Sequence, residues 1–182
     1  PDTGRSWWLG LDPSDTPERF LLTLALDIPI SDFTDRIADA KVHSPSTEYA
    51  VITGTYQGTR VGVVYHGSGA FSISVAIEEL ARLGVRSMIR VGNSGGLSPA
   101  IDVGHIVITT AAIRAERTLL DYVPLEYPAA ADHQLVRQLT KSARRHADAS
   151  RVHLGHTVSV GSFYAGSGMP TAAGVLNQQQ VN

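Results

Sequence analysis

Residues 49–91 constrain the fold of this 182-residue chain more than any other stretch. They contain two short runs rich in β-branched residues joined by Gln57-Gly58, then a glycine loop, and then apolar residues at helical spacing that end at Gly84. The run RSMIRV follows and has the composition of a strand. A strand, a glycine loop, a helix and a second strand in this order predict the βαβ unit of an α/β fold.

Segments on both sides extend this pattern. We predict strands at 20–26, in GHIVITTAA and in RVHLGHTVSV, and a short helix in TDRIADA. The run DHQLVRQLTKSARRHA predicts a helix with Asp132 as its N-cap. Two helices are predicted to bury one apolar face each, and these faces contain Ile73, Ala76, Ile77, Leu80 and Leu83 in the first helix and Leu135, Leu139 and Ala143 in the second.

Composition limits the class of protein. Hydrophobic residues make up 43% of the chain and charged residues 18%, which is typical of a soluble globular protein of one domain. We expect this domain to span residues 19–182, after an irregular lead-in at 1–18 whose Trp7 and Trp8 dock either on the domain or on a partner. The formal net charge of −2 argues against direct nucleic-acid contact, and no apolar run approaches the roughly 18 residues of a membrane span.

Two residue types bear on cofactors and location. The chain has no cysteine, which excludes disulfides and thiolate chemistry but leaves the compartment open. We expect an intracellular location, either cytoplasmic or mitochondrial. Seven histidines are present, but their spacing matches no zinc site, so no metal is predicted.

Arg90 raises the question of an anion site. It ends an apolar run and is followed by a glycine-rich turn, which is a common way to build a site for an anion. The alternative is a structural arginine that pairs with a carboxylate at a subunit contact.

From Tyr49 onward the chain resembles the nucleoside phosphorylase family and is most similar to its uridine-cleaving members. Four segments occur in the order that the family has: GTYQGTRVGVVYHGSGAFSISVAIEELARLGVRSMIRVGNSGGLSPAIDVGHIVITTAAIR, PLEYPAAAD, HTVSVGSFYAG and AAGVLN. The resemblance implies a three-layer α/β/α sandwich around a mixed, partly barrel-like sheet. It also implies phosphorolysis of a nucleoside without a cofactor, with inorganic phosphate as co-substrate. The chain ends where the family continues with further elements, so we expect the C-terminal part of the domain to be missing or truncated.

The resemblance assigns candidate residues to both halves of the site. Arg90 matches the family's phosphate-binding arginine, Gly67 and Gly69 match its glycine loop, and Asn93 with Ser94 replace its hydroxyl residue. The nucleoside pocket, if it is retained, would include Phe163, Tyr164, His66 and Gln179. His66 is interpreted either as a pocket residue or as a packed core histidine, and the second is favoured. No catalytic residue is assigned.

Several family positions carry other residues here. In the first phosphate turn the family has a glycine and an arginine, where this chain has Asp27 and Ser31, or Pro29 and Phe33 in a second alignment. A carboxylate near phosphate would be repulsive. Positions that read the base, bind the ribose or reach phosphate from a neighbouring subunit are also changed, and they now hold Thr47, Ser167, Met169, Gln179, Gln180 and Val181.

These substitutions favour one function over two others. The main hypothesis is a catalytically degenerate relative that serves as a structural or interaction subunit, either as a homodimer or within a larger protein or ribonucleoprotein assembly. The alternative is an active nucleoside phosphorylase that cleaves uridine with phosphate to uracil and ribose 1-phosphate. A nucleosidase that uses water ranks last, because it would not explain the changed ribose-binding positions.

Overall fold

The structure is a computed structural model that describes residues 4–24, 27–44 and 47–172. Contacts group the chain into two compact units, Pro1–Ser94 and Gly95–Asn182. Within the described residues, no helix is both long enough and apolar enough to cross a membrane.

The first unit is built on a five-stranded mixed sheet. Its strands follow the spatial order β2-β3-β4-β1-β5. Strand β1 pairs in parallel with β4 and β5, whereas β2 and β3 are antiparallel to their neighbours. The strands are β1 (Arg19–Thr23), β2 (Ala38–His43), β3 (Ala50–Tyr56), β4 (Thr59–Tyr65) and β5 (Ser87–Arg90).

The β3–β4 hairpin turns at the two residues that the sequence indicates. Gln57 and Gly58 both have positive φ angles, 48° and 77°. Two consecutive positive φ angles are typical of the type I′ turn, whose twist matches that of the flanking strands. The predicted strand–turn–strand is therefore confirmed.

Helix α2 (Gly69–Arg82) connects β4 to β5 and confirms the predicted crossover. Ala76 and Leu80 are completely buried against the sheet, whereas Ile77 is 43% exposed, so the buried face is narrower than predicted. Gly84 has a φ of 85° just past the helix, as expected for a residue that ends it in the left-handed region.

The described part of the N-terminal lead-in packs onto this core. Leu9 and Leu11 are buried, and the Trp8 ring meets the Tyr49 ring edge-on with centroids 6.1 Å apart. Trp7 is 81% exposed. The two tryptophans therefore divide between the core and the surface.

The prediction of a helix in TDRIADA is wrong. The structure instead has helix α1 (Ile30–Thr34), followed by the edge strand β2, which pairs with β3 through a register shift. Ile37 is buried with Ile52 and with other residues on the sheet face opposite α2. Hydrogen bonding to β3 and this burial outweigh the local helix preference. Helices on both faces of a mixed sheet give the first unit the expected α/β/α layering.

The described part of the second unit, residues 95–172, contains a two-stranded parallel sheet and two α-helices. Its elements are β6 (Ile106–Ala115), α3 (His133–His146), β7 (Val152–Val160) and α4 (Phe163–Gly166), with 3-10 turns at Thr118–Asp121 and Ala149–Arg151. The Asp132 carboxylate accepts from the backbone N–H groups of Gln134 and Leu135, each at 2.9 Å. The predicted helix and its N-cap are therefore confirmed.

Candidate functional site

Three parallel strands of the first unit end at one edge of the sheet. The register pairs Thr23 of β1 with Tyr65 of β4, and Leu22 of β1 with Arg90 of β5. The next peptide continues the pairing, because the His66 N–H donates to the Thr23 carbonyl at 3.0 Å. Ligands of open α/β sheets bind outside the carboxyl ends of strands, so this edge is the expected place for a site.

A carboxylate and a guanidinium meet at this edge. The Asn93 backbone N–H donates to Asp27 Oδ2 at 3.3 Å, and Asn93 Nδ2 donates to Asp27 Oδ1 at 3.1 Å. A Cβ atom at Gly92 would lie 2.6 Å from Asp27 Oδ2 and 2.8 Å from Arg90 Nη1. Both charged groups therefore approach the same stretch of backbone, and glycine is the residue that leaves room for them.

His66 is buried beside these charges. Its Nδ1 lies 2.7 Å from the Gly67 carbonyl oxygen, and its Nε2 is buried without a hydrogen-bond partner among the described residues. Burial lowers the pKa of His66, the hydrogen bond to the Gly67 carbonyl raises it, and the charges of Arg90 and Asp27 act in opposite directions. The net direction is downward, so His66 is neutral at pH 7 and presents Nε2 as an acceptor.

The glycine loop is anchored more tightly than the sequence indicates. The Gly67 N–H donates to Ser72 Oγ at 2.8 Å, and a Cβ at Gly67 would lie 2.8 Å from Glu48 Oε1. Ser72 Oγ in turn donates to the Tyr49 hydroxyl at 3.1 Å, and that hydroxyl donates to the Ser72 carbonyl at 2.8 Å. Burial raises the pKa of Tyr49, which keeps its hydroxyl protonated as a donor. Sequence reasoning missed this anchor; the one signal is that Ser72 precedes Ala76 by one helical turn.

Helix α2 begins at this same loop. Gly69 has a φ of 91° and is the first helical residue, and the N-cap Ser68 makes no side-chain hydrogen bond to the helix. The first turn contains no acidic residue. The first N–H groups of α2 thus have no side-chain cap, and the N-terminus of a helix favours an anion.

The remaining predicted residues lie elsewhere. Ser94 is exposed at the end of the first unit. Phe163 and Tyr164 begin α4 in the second unit, 74% and 60% exposed, with ring centroids 5.5 Å apart in an edge-to-face pair. Gln179 lies outside the described residues.

Arg114 is a residue of the second unit that sequence reasoning missed. Its Nη2 donates to the carbonyls of Pro124, at 3.2 Å, and Leu125, at 2.6 Å, and also to that of Tyr127. These three carbonyls belong to the PLEY segment, which resembles the family's substrate-side loop. An arginine within an otherwise apolar strand pattern, IVITTAAIRA, is the signal that could have indicated this role.

Two histidines of the second unit lie side by side, as two ligands of a metal ion would. His105 Nδ1 lies 2.9 Å from His153 Nε2, and the two rings are stacked. The described residues contain no group of three or more histidine, aspartate or glutamate side chains that could hold a metal ion.

Comparisons with known proteins place this geometry in a family. Residues 19–181 match the model of the Phosphorylase superfamily. A uridine phosphorylase of Thermococcus kodakarensis is 36% identical over 171 residues, which are 93% of this chain and 60% of that protein. A guanosine phosphorylase of Halorubrum lacusprofundi is 34% identical over 134 residues, or 71% of this chain and 55% of that protein. The chain thus spans about 60% or less of the length of these relatives.

A solved structure agrees on the fold. The crystal structure of uridine phosphorylase from Vibrio fischeri superposes on this chain with a TM-score of 0.82 and a sequence identity of 24%. The superposition covers 90% of this chain and 67% of the Vibrio fischeri chain. The α/β fold with a mixed central sheet is therefore confirmed as nucleoside phosphorylase-like. On the family match over 19–181 and the identity to its relatives, this chain belongs to the phosphorylase superfamily.

Proposed function

We propose that the protein containing this chain cleaves a nucleoside with inorganic phosphate, releasing the base and pentose 1-phosphate. The observation that carries the proposal is the convergence of the Arg90 guanidinium and the Asn93 N–H groups at the carboxyl edge of the sheet. The relatives named as uridine and guanosine phosphorylases support this reaction, and uridine is the substrate to test first.

The chemistry divides the site into two tasks. A phosphate oxygen attacks the anomeric carbon while the glycosidic bond breaks, and the electron pair of that bond leaves with the base, which takes up a proton. Arg90 would hold the phosphate, because a guanidinium forms charge-assisted hydrogen bonds with its oxygens. Nε2 of neutral His66, which is buried and has no hydrogen-bond partner among the described residues, would accept from a sugar hydroxyl once substrate binding gives access to it.

One observation favours a second candidate, a non-catalytic subunit. Asp27 already brings a carboxylate to the side chains that would bind phosphate. A site that holds its own anion is poorly suited to phosphorolysis at a high rate. In this second candidate function, the protein would act as a homodimer or as a subunit of a larger protein or ribonucleoprotein assembly.

The test is release of uracil from uridine with excess phosphate. We expect phosphate-dependent release by the wild-type chain and a loss of about a hundredfold or more in Arg90→Gln, since the variant loses charge-assisted hydrogen bonds to phosphate that are worth roughly 1.5–3 kcal/mol each. Arg86→Gln is the matched control, because Arg86 is 81% exposed by side chain and lies 3.9 Å from Glu18 on the surface. Absence of phosphate-dependent release in wild type would favour the non-catalytic subunit.

Association is a separate proposal with its own measurement. The segment 119–127 of the second unit exposes Leu119, Leu120, Tyr122, Leu125 and Tyr127. Exposed apolar clusters of this kind are typical of interaction surfaces. We expect sedimentation equilibrium to give a mass of at least two chains, and a monomer at micromolar concentration would contradict this proposal.

A further inference from the structure

We infer that the Asp27 carboxylate is an internal occupant of the anion site, which an incoming phosphate must displace. The inference rests on the proposed function in one respect, namely that the external anion is phosphate. The predicted effect of Asp27 is on the affinity for phosphate and not on the rate of turnover.

The hydrogen bonds give the first argument. The two Asp27 oxygens accept from the Asn93 backbone N–H and from Asn93 Nδ2, at 3.3 and 3.1 Å. An N–H pair of this kind serves a phosphate oxygen equally well, because both ligands are anionic oxygens. The carboxylate and a phosphate on Asn93 therefore exclude each other.

Charge gives the second argument. Among the described residues, Arg90 brings a positive charge to this point of the edge, whereas burial keeps the neighbouring His66 neutral. With Asp27 in place, the local charge is close to zero, and a phosphate dianion gains little attraction. Like charges a few ångströms apart repel even in water, and the repulsion is twice as large for a dianion as for a monoanion.

The backbone allows the carboxylate to leave. The Asp27 N–H donates to the Leu24 carbonyl at 2.9 Å, which fixes the turn, and the side chain is half-buried. Rotation about χ1 moves the carboxylate to another staggered position without breaking this bond. The carboxylate can therefore leave Asn93 while the backbone turn stays in place, and we infer that its departure sets the affinity for phosphate.

Calorimetric titration with inorganic phosphate tests the inference. We expect Asp27→Asn and Asp27→Ala to bind phosphate at least about tenfold more tightly than wild type, because each removes the competing charge. Asp35→Asn is the matched control, since Asp35 is an exposed carboxylate that follows α1. It should change the affinity less than twofold. The double variant Asp27→Asn/Arg90→Gln should not show the tighter phosphate binding expected of Asp27→Asn alone.

Each other outcome overturns the inference. Equal affinity in wild type and both Asp27 variants would show that the carboxylate does not compete, and equal gains in Asp27→Asn and Asp35→Asn would show a general charge effect. No binding in any variant would show that no anion site exists. The proposed function is tested separately: tighter phosphate binding without uracil release would leave the inference standing and overturn phosphorolysis.

Discussion

His66 donates from Nδ1 to the Gly67 carbonyl oxygen, 2.7 Å away, and this bond leaves its Nε2 buried without a partner among the described residues. A proton added to Nε2 would create a buried imidazolium next to the Arg90 guanidinium. Burial and the nearby Arg90 charge both disfavour the imidazolium in the native state, and the pKa of His66 is therefore lowered.

This lowered pKa predicts how stability depends on pH. The unfolded chain binds the His66 proton with the ordinary pKa of about 6.5, while the native state binds it only at lower pH. The contribution of His66 to the free energy of unfolding is thus fully present above pH 6.5 and is lost as pH falls below it. Urea unfolding between pH 5 and 8 should show this slope in wild type and a smaller slope in His66→Gln.

His146 supplies the control for this experiment. Its Nδ1 also donates to a carbonyl, that of Ser142 at 2.9 Å, but its ring is exposed. We expect His146→Gln to keep the wild-type slope. An equal reduction of the slope in both variants would show that burial of His66 is not its cause.

Helix α2 predicts a contrast between two neighbouring apolar residues. Leu80 is completely buried, whereas Ile77 is 43% exposed. Leu80→Ala should lower the free energy of unfolding by about 2–5 kcal/mol, because a cavity remains in the core. Ile77→Ala should lower it by about 1 kcal/mol or less. Denaturant titration of both variants measures the difference, and similar losses would mean that a different face of α2 packs on the sheet.

The elements that the sequence predicted correctly are those fixed by local chemistry. Gln57-Gly58 supplies two residues that tolerate positive φ, and Asp132 supplies a short acceptor before an apolar helical pattern. Strand β2 escaped prediction because its pairing with β3 depends on residues eight to seventeen positions away. A local pattern cannot show that Ile37 will be buried by the opposite strand.

The candidate site divides in the same way. Arg90 could be predicted from its place at the end of a strand before a glycine turn. The Asp27–Asn93 contact could not, because the two residues are 66 positions apart and meet only when β1 and β5 pair. The hydrogen bond from the Gly67 N–H to Ser72 Oγ could not be predicted either, since it depends on where α2 begins.

The N-cap of α3 gives a prediction for the second unit. The Asp132 carboxylate satisfies two backbone N–H groups at the start of the helix. Asp132→Ala should destabilise α3 by about 0.5–2 kcal/mol, and Asp132→Asn should restore most of this. Amide hydrogen exchange of the first turn of α3 measures the effect directly. Unchanged exchange in the alanine variant would contradict the importance of the cap.

Arg114 predicts the order of the PLEY segment. Its Nη2 lies within hydrogen-bond distance of the carbonyls of Pro124, Leu125 and Tyr127, so one side chain contacts three carbonyls of a four-residue segment. Arg114→Ala should increase the amide exchange of Leu125, Glu126 and Tyr127 by at least about tenfold, because hydrogen bonds to a charged donor are each worth roughly 1.5–3 kcal/mol before solvent screening. Arg114→Lys should restore only part of the protection, since an ammonium lacks the planar donor array.

Arg117 provides the matched control for this last experiment. It is exposed, three residues further along the chain, and its guanidinium has no hydrogen bond to this segment among the described residues. Arg117→Ala should leave the amide exchange of residues 125–127 within about twofold of wild type, as expected for a surface change away from the contact. If both alanine variants raise exchange equally, loss of positive charge rather than the three carbonyl contacts would explain the effect, and the role assigned to Arg114 would be wrong.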